Sequence, residues 1–579
     1  MSTQPHKELR IKRGSHILEY IRAFSATEKA IFGVCVLIAL YASLMLLSSV
    51  NTYFLTDIPA HGGELREGMI GLPRTINPIF ALSGTDRDIS TRVYSGLMKY
   101  QGNTLVGDIA KSYNVSSDGL TYSFVLRTDV QFQDGTRLTA DDVAFTIQKI
   151  QDAALKSPHR SDWLNVGVKV TSPSEIQFIL KQPYSPFLAN TTIGIIPKHI
   201  WGGVSDDQFI FSQYNIEPVG SGPYKVTGIV RDAGGIPTTY TLSTWNGYYG
   251  TIPYIQTITL VFIADETSAM SAIDAGTIDS LASVSPLEAK RLAGEKAGSY
   301  SVLSSPLPRV FGVFFNQNQN IVLADKNVRQ ALDMSVDRTG IVQKILGGYG
   351  EPIQGPLPHG MGTTVDTNDS PDLAGAQALL EKNGWKKNAD GIYAKISKDK
   401  KTSQLLSFDI DTADTPDLKQ AAELVKNSWT ALGAQVDVKI FESSDLYQNI
   451  IRPRKYDALL FGELIGKDRD LYAFWHSSQR NAPGLNVSMY TNTKADKLLD
   501  DIRTTSDETI QAQKYTQFEK IIHDDIPAIF LYTPDFIYVV PKSIHNIFIN
   551  NISTPADRWN SMQSWYLETE TVWNIFANK

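Results

Sequence analysis

The chain has 579 residues, 42% of them hydrophobic and 20% charged, with a formal net charge of −7 and a pI near 5.8. That balance fits a folded chain of a few domains rather than a disordered one, and it excludes an extended basic surface of the kind that binds nucleic-acid backbones. The single cysteine, Cys35, excludes an intramolecular disulfide and a cysteine-built zinc site.

Residues 30–50 carry no charge over 21 positions, close to the ~20 residues a helix needs to cross a bilayer. Lys7, Arg10, Lys12, Arg13, Arg22 and Lys29 precede them against Glu8, Glu19 and Glu28. The positive-inside tendency therefore keeps residues 1–29 cytoplasmic and sends the bulk of the chain outside. The run is longer than a signal-peptide core, and Ser48-Ser49-Val50 makes a poor cleavage site. Cys35 sits within the apolar run, where a lipoprotein cysteine does not. An uncleaved signal anchor is expected at 30–50, with residues 51–64 as a tether containing Pro59 and Gly62-Gly63.

Beyond the tether, Gly68–Phe80 reads as a loop with Pro73 and Pro78. Asn77 in it is either a turn stabiliser or a residue facing a cleft. Thr91–Tyr100 follows, with Tyr94 equally suited to a core or a cleft. In Leu105–Ile150, Tyr122, Phe124 and Leu126 alternate as a strand, and Asp118-Gly119 and Asp134-Gly135 mark tight turns. Thr139 is placed to cap a helix whose one face carries Ala140, Val143, Ala144 and Ile147. Ser174–Leu180 and Asn190–Ile196 are apolar runs of strand length. His199 reads as a packed or capping residue, because no second ligand lies at metal spacing. Gly220 and Gly222 in PVGSGPYKV suggest backbone angles that a β-carbon would forbid. Neither this stretch nor GELIGK at Gly462–Lys467 has the spacing of a phosphate loop.

Strands are expected at Tyr240–Thr244, Ile255–Ile263 and Asp279–Ser283, alternating with a helix at Glu266–Gly276, which is the pattern of an α/β sheet. A strand at Arg309–Asn316 leads into helices over Asp325–Leu346. There Arg329, Asp333, Asp337 and Arg338 suggest helix-end pairs of about 0–1 kcal/mol each. Thr415-Pro416 opens a striped helix stopped by Gly433, and Gln435–Phe441 alternates as a strand. Tyr456–Ser478 combines a strand with a loop bearing Asp468, Arg469, Asp470 and Trp475. Both aspartates are either ligand partners or solvated loop charges, and Trp475 either stacks on a ligand or packs beneath the loop. Pro527–Pro534 is a last crossing strand. The tail from Pro541, with Trp559, Trp565, Tyr566 and Trp573, is expected to pack on the first part of the chain.

Three blocks carry a resemblance. LVGDIAKSYNVSSDGLTYSFVLRTDVQFQDGTRLTADDVAF, PVGSGPY, and DKNVRQALDMSVDRTGIV resemble the signature blocks of the family 5 extracellular solute-binding proteins. These are receptors of ABC importers for peptides, nickel and oligosaccharides. The likeness runs from about residue 62 to 545. It implies an α/β, two-lobed, periplasmic-binding-protein-like (type II) fold with an extra subdomain in the first lobe, beside the N-terminal transmembrane helix. The first lobe would span 65–308 with the subdomain at about 96–217, the second 309–530, and 531–579 would return to the first. It further implies capture of a peptide-like solute for an ABC permease outside the membrane. In peptide-binding members an aspartate after the equivalent strand pairs with the ligand's ammonium, which points to Asp468 or Asp470. Trp475, Asn77 and Tyr94 complete the candidate set. No metal site and no cofactor is expected: HExxH, paired cysteines, GxSxG and Walker motifs are missing, and His476 is isolated. A sugar or other solute, or a membrane-tethered enzyme or chaperone, are the alternatives.

Overall fold

The computed structural model describes residues 24–102, 104–358, 370–396, 403–466, 469–505, 507–550 and 552–577. They fall into two compact units, one ending at Ala60 and resuming at Glu568, the other His61–Leu567. In the first unit Ser25 caps the helix Ala26–Tyr53, its N–H donating to Glu28 Oε2 at 2.8 Å. Every residue of that helix is exposed, Cys35 included. The expected tether differs: Leu55–Ala60 is a strand, paired antiparallel with Glu568–Trp573.

The second unit is organised on one long sheet. Its first-lobe strands are β1 (Gly62–Ile70), β6 (Tyr224–Arg231), β7 (Pro237–Thr244), β8 (Ile255–Ile263), β9 (Ser280–Ala282) and β10 (Tyr300–Pro306). Between β1 and β6 lie α1 (Gly84–Val93), β2 (Ala110–Val115), β3 (Thr121–Leu126), α2 (Ala140–Gln151), β4 (Gly167–Ser172) and β5 (Glu175–Ile179). Strands β2–β3–β5–β4 form a separate antiparallel sheet of extra strands. The second lobe contributes β11 (Arg309–Phe315), β12 (Ser407–Ala413), α3 (Pro416–Leu432), β13 (Gln435–Phe441), β14 (Ala458–Leu464), α4 (Thr493–Thr504), α5 (Glu508–Asp525) and β15 (Ala528–Pro541). The long sheet runs β13–β12–β14–β11–β15–β9–β1–β8–β7–β6.

Alternation explains the layers. On β11, Val313 and Phe315 enter a core with α3, while Val310 and Phe314 enter another with α4 and α5. On β1 and β8, Leu65, Ile258 and Leu260 face a third core that also holds Trp559 and Trp565 from the C-terminal tail.

Thr139 is the N-cap of α2 and forms a capping box with Asp142, whose carboxylate accepts from Thr139 N–H at 2.8 Å. Two local readings change. Asn190–Ile196 is no strand: Phe187–Asn190 is a short helix, and Ile195 and Ile196 are buried from a loop. An apolar run of seven reports burial, not conformation. The charged set also moves inward. Arg329 is buried and donates to the carbonyls of Leu323, Asp525 and Ile526 at 2.8–2.9 Å, and Arg338 donates to Phe530 O and pairs with Asp333.

Candidate functional site

Two chain passes join the lobes. Strand β10 passes through Leu307–Pro308 into β11, and β15 pairs with both, matching Pro306 to Asp535 in one lobe and Phe311 to Tyr532 in the other. Leu307 N–H donates to Pro534 O at 3.0 Å, and Ile465 N–H to Pro308 O at 2.8 Å. Two short passes and few crossing bonds are the geometry of a hinge.

Ionisable and polar groups gather at this crossing, several of them without partners among the described residues. The Arg309 side chain is half-buried and has no hydrogen bond or ion pair among the described residues, and burial pushes its pKa down. Glu463, one residue from the end of β14 and paired with Val310, is fully buried with both oxygens unpartnered, and burial holds its carboxyl well above the usual range. Thr533 Oγ1 is buried and unpartnered. Burial raises Asp535 as well, with repulsion from Glu351 adding to it against a hydrogen bond from Ser304. Deeper in β12, Asp411 has Oδ1 unpartnered. Sequence reasoning passed over these positions. Arg309 and Glu463 read as single polar residues at strand ends, and only strand pairing brings them beside the hinge.

The residues singled out from sequence lie apart. Asp468 is outside the described residues. Asp470 receives Arg503 side-on, Nε at 2.9 Å and Nη2 at 2.6 Å, with the guanidinium stacked 3.9 Å from the Tyr472 ring centroid. Arg503 also faces Tyr184 of the first lobe at 5.5 Å, its carbonyl accepts from Ser185 N–H at 2.9 Å, and Gln511 Nε2 donates to Ser185 Oγ at 3.3 Å. Asp470 therefore anchors the place where the lobes touch. Trp475 is enclosed in the second lobe's core against Phe314, Tyr490 and Phe530, so its ring is not offered to a cleft. Asn77 is buried, with Oδ1 accepting from Ile79 N–H at 3.0 Å, a turn bond. Tyr94 is buried in the first lobe's core. His199 bonds Asp134 at 2.6 Å. Among the described residues no cluster of His, Cys, Asp and Glu is arranged to hold a metal.

Two lobes on a shared sheet, joined by a two-pass hinge and touching at their rims, define a bilobal α/β binding protein. Residues 104–484 match the family described as bacterial extracellular solute-binding proteins, family 5 Middle. The chain belongs to that family. It is 30% identical over 521 residues to the oligopeptide-binding protein AppA of Bacillus subtilis, covering 88% of this chain and 92% of the relative. The solved structure of that AppA with a nonapeptide superposes with a TM-score of 0.67 at 27% identity, over 88% of this chain and all of that one. NikZ of Campylobacter jejuni, solved with Ni(L-His), gives 0.68 at 25% identity, over 87% and 99%.

Proposed function

We propose that this protein captures a peptide-like solute between its lobes, outside the cytoplasm, and delivers it to the permease of an ABC importer. The observation that carries the reading is the two-pass hinge, set in a chain similar over most of its length to an oligopeptide-binding protein. A peptide presents a carboxylate, an ammonium and a row of amides, and the crossing offers groups for each. Arg309 is an open cation for the carboxylate, Asp535 is a candidate acid for the ammonium, and Thr533 lies two residues before it on the same strand; Asp468, outside the described residues, is a second candidate acid taken from the sequence alone. Closure excludes water and strengthens such pairs. Asp470 acts through Arg503, by holding the closed contact.

The helix Ala26–Tyr53 is long and apolar enough to cross a membrane, at about 1.5 Å rise per residue. It serves as an uncleaved anchor, with the binding lobes on the outer face and residues 1–29 inside. The mass of the mature protein from cells tests this: retention of residues 1–50 is expected, and a chain starting beyond Val50 means a cleaved signal.

The solute is tested on the full chain in lipid nanodiscs by thermal shift and X-ray scattering against a library of short peptides and of oligosaccharides. Stabilisation and a smaller radius with peptides are expected. A response to sugars alone overturns the peptide reading and keeps the receptor.

A further inference from the structure

We propose that the first lobe carries a second ligand site, an internal cavity against α1 that takes the carboxylate of a small organic acid on the Nε–Nη2 edge of Arg92. The cavity has a volume of about 230 Å³ and lies apart from the hinge. Its walls include Arg92, Tyr94, Lys99, Asp108, Tyr248 and Trp559.

The unmet groups on these walls are mostly donors. Arg92 Nε and Nη2, Tyr94 Oη and Trp559 Nε1 are all buried without a hydrogen-bond partner among the described residues. The residues that carry them are 2%, 4% and 6% exposed. A buried donor without an acceptor costs roughly 1–3 kcal/mol, and more for a charged group, so four on one cavity call for a ligand rich in acceptors. Asp108 Oδ1 is the unmet carboxylate oxygen among the described wall residues, and it sits 3.0 Å from Lys99 Nζ. The other wall carboxylate, Asp557, already accepts the N–H groups of Ser553 and Thr554.

Geometry narrows the acceptor to a carboxylate. Nε and Nη2 form one edge of the planar guanidinium, and that edge matches two carboxylate oxygens. This protein uses the same edge elsewhere. Arg66 meets both oxygens of Asp279, Nε on Oδ2 at 2.9 Å and Nη2 on Oδ1 at 2.6 Å, and Arg503 meets Asp470 with Nε 3.1 Å from Oδ1 and Nη2 2.6 Å from Oδ2. On Arg92 only Nη1 is engaged, by Asp88 O and Thr91 Oγ1. The carboxylates closest to Arg92 serve another cation: Asp88 and Glu67 both receive Arg558. The Arg92 plane is fixed by stacking 3.8 Å from the Trp559 ring centroid, so the open edge is held ready. Burial lowers the Arg92 pKa to about 9, the response of a cation short of a direct counter-ion. Thr91, Lys99 and Asn560 on the wall are partly or fully solvent-exposed and give the cavity its access.

The test is a titration of the full chain in nanodiscs with carbon-13 acetate, read by line broadening, with methylammonium as the cationic control. A saturable acetate site that depends on Arg92 is expected, and methylammonium does not compete for it. Arg92→Lys keeps the charge but loses the planar edge, and weakens acetate at least tenfold. Tyr94→Phe changes one hydroxyl, and weakens it severalfold. Circular dichroism and melting confirm the fold of each variant, and Tyr94→Phe carries the test if Arg92→Lys does not fold. Acetate binding equal in wild type and variants, or none in wild type, overturns the proposal and leaves the cavity to water. A failure of the hinge to respond to peptides would not touch this result, because the two sites share no residue.

Discussion

Arg558 shows what a single buried ion does for this chain. Its guanidinium has no exposure and bonds Asp88 at 3.0 and 2.7 Å and Glu67 at 2.8 Å, while Tyr538 donates to Glu67 at 2.7 Å. The three ionic residues come from the C-terminal tail, α1 and β1, so one cation ties the tail to the first lobe. Arg558→Met leaves two buried carboxylates against one another without their partner. A loss of about 3–5 kcal/mol in denaturant unfolding is expected, and a loss below 1 kcal/mol would show the cluster to be incidental. Asp411 gives the pH signature. Burial pushes its carboxyl up to about 6, with Lys439 opposing and Asp409 and Asp457 adding repulsion. The folded state thus holds this proton more tightly than the unfolded chain, whose value is near 3.8. Its contribution is complete below that value and is lost as pH rises toward 6. Asp411→Asn is expected to flatten this fall in unfolding free energy between pH 4 and 7. Parallel curves for variant and wild type would rule the residue out as its source.

At the scale of elements, glycines set how closely segments approach. Gly220 and Gly222 suggest backbone angles that a β-carbon would forbid, yet neither has a positive φ. Close packing is the cause: a β-carbon at Gly220 would sit 1.9 Å from Val93 O, and one at Gly222 2.3 Å from Arg92 O. The entry to β6 thus lies directly on the end of α1, where Gly222 N–H donates to Val93 O at 2.8 Å and Gln133 Nε2 reaches Tyr224 O at 2.7 Å. Gly222→Ala forces backbone apart, and a loss of about 1–3 kcal/mol is expected by thermal or denaturant unfolding. Gly433, by contrast, ends α3 at φ 115°, in the left-handed region expected of a helix-stopping glycine.

For the whole molecule, the coupling between hinge and rim decides how the lobes close. The Asp470–Arg503 pair lies in the second lobe, but Arg503 reaches Tyr184 and Ser185 in the first. Asp470→Asn removes the carboxylate that orients Arg503 and leaves the hinge strands untouched. A severalfold weaker affinity for every ligand, whatever its charge, is expected by calorimetry, together with a smaller ligand-induced compaction in scattering. Selective loss of ligands bearing a free ammonium, with compaction intact, would instead make Asp470 a direct contact.

The sequence by itself determined the α/β class, most elements and the family. Strand alternation at Tyr122–Leu126, the turns at Gly119 and Gly135, and the Thr415–Gly433 helix are local signals, written in spacing and in residues with restricted backbones. The extra subdomain came from the resemblance and not from such local signals. What faces the cleft was not legible. Asp470 and Glu463 are both acids near one strand end. Only pairing with Arg503 across 33 positions engages the first, and only the register with Val310 buries the second. Arg329 and Arg338 read as surface charges because burial is set by partners some 190 residues away. The Arg92 edge was likewise invisible, because its emptiness is decided by Arg558 taking the nearby carboxylates. Local conformation follows from neighbours in sequence, whereas burial, pairing and unmet donors follow from neighbours in space.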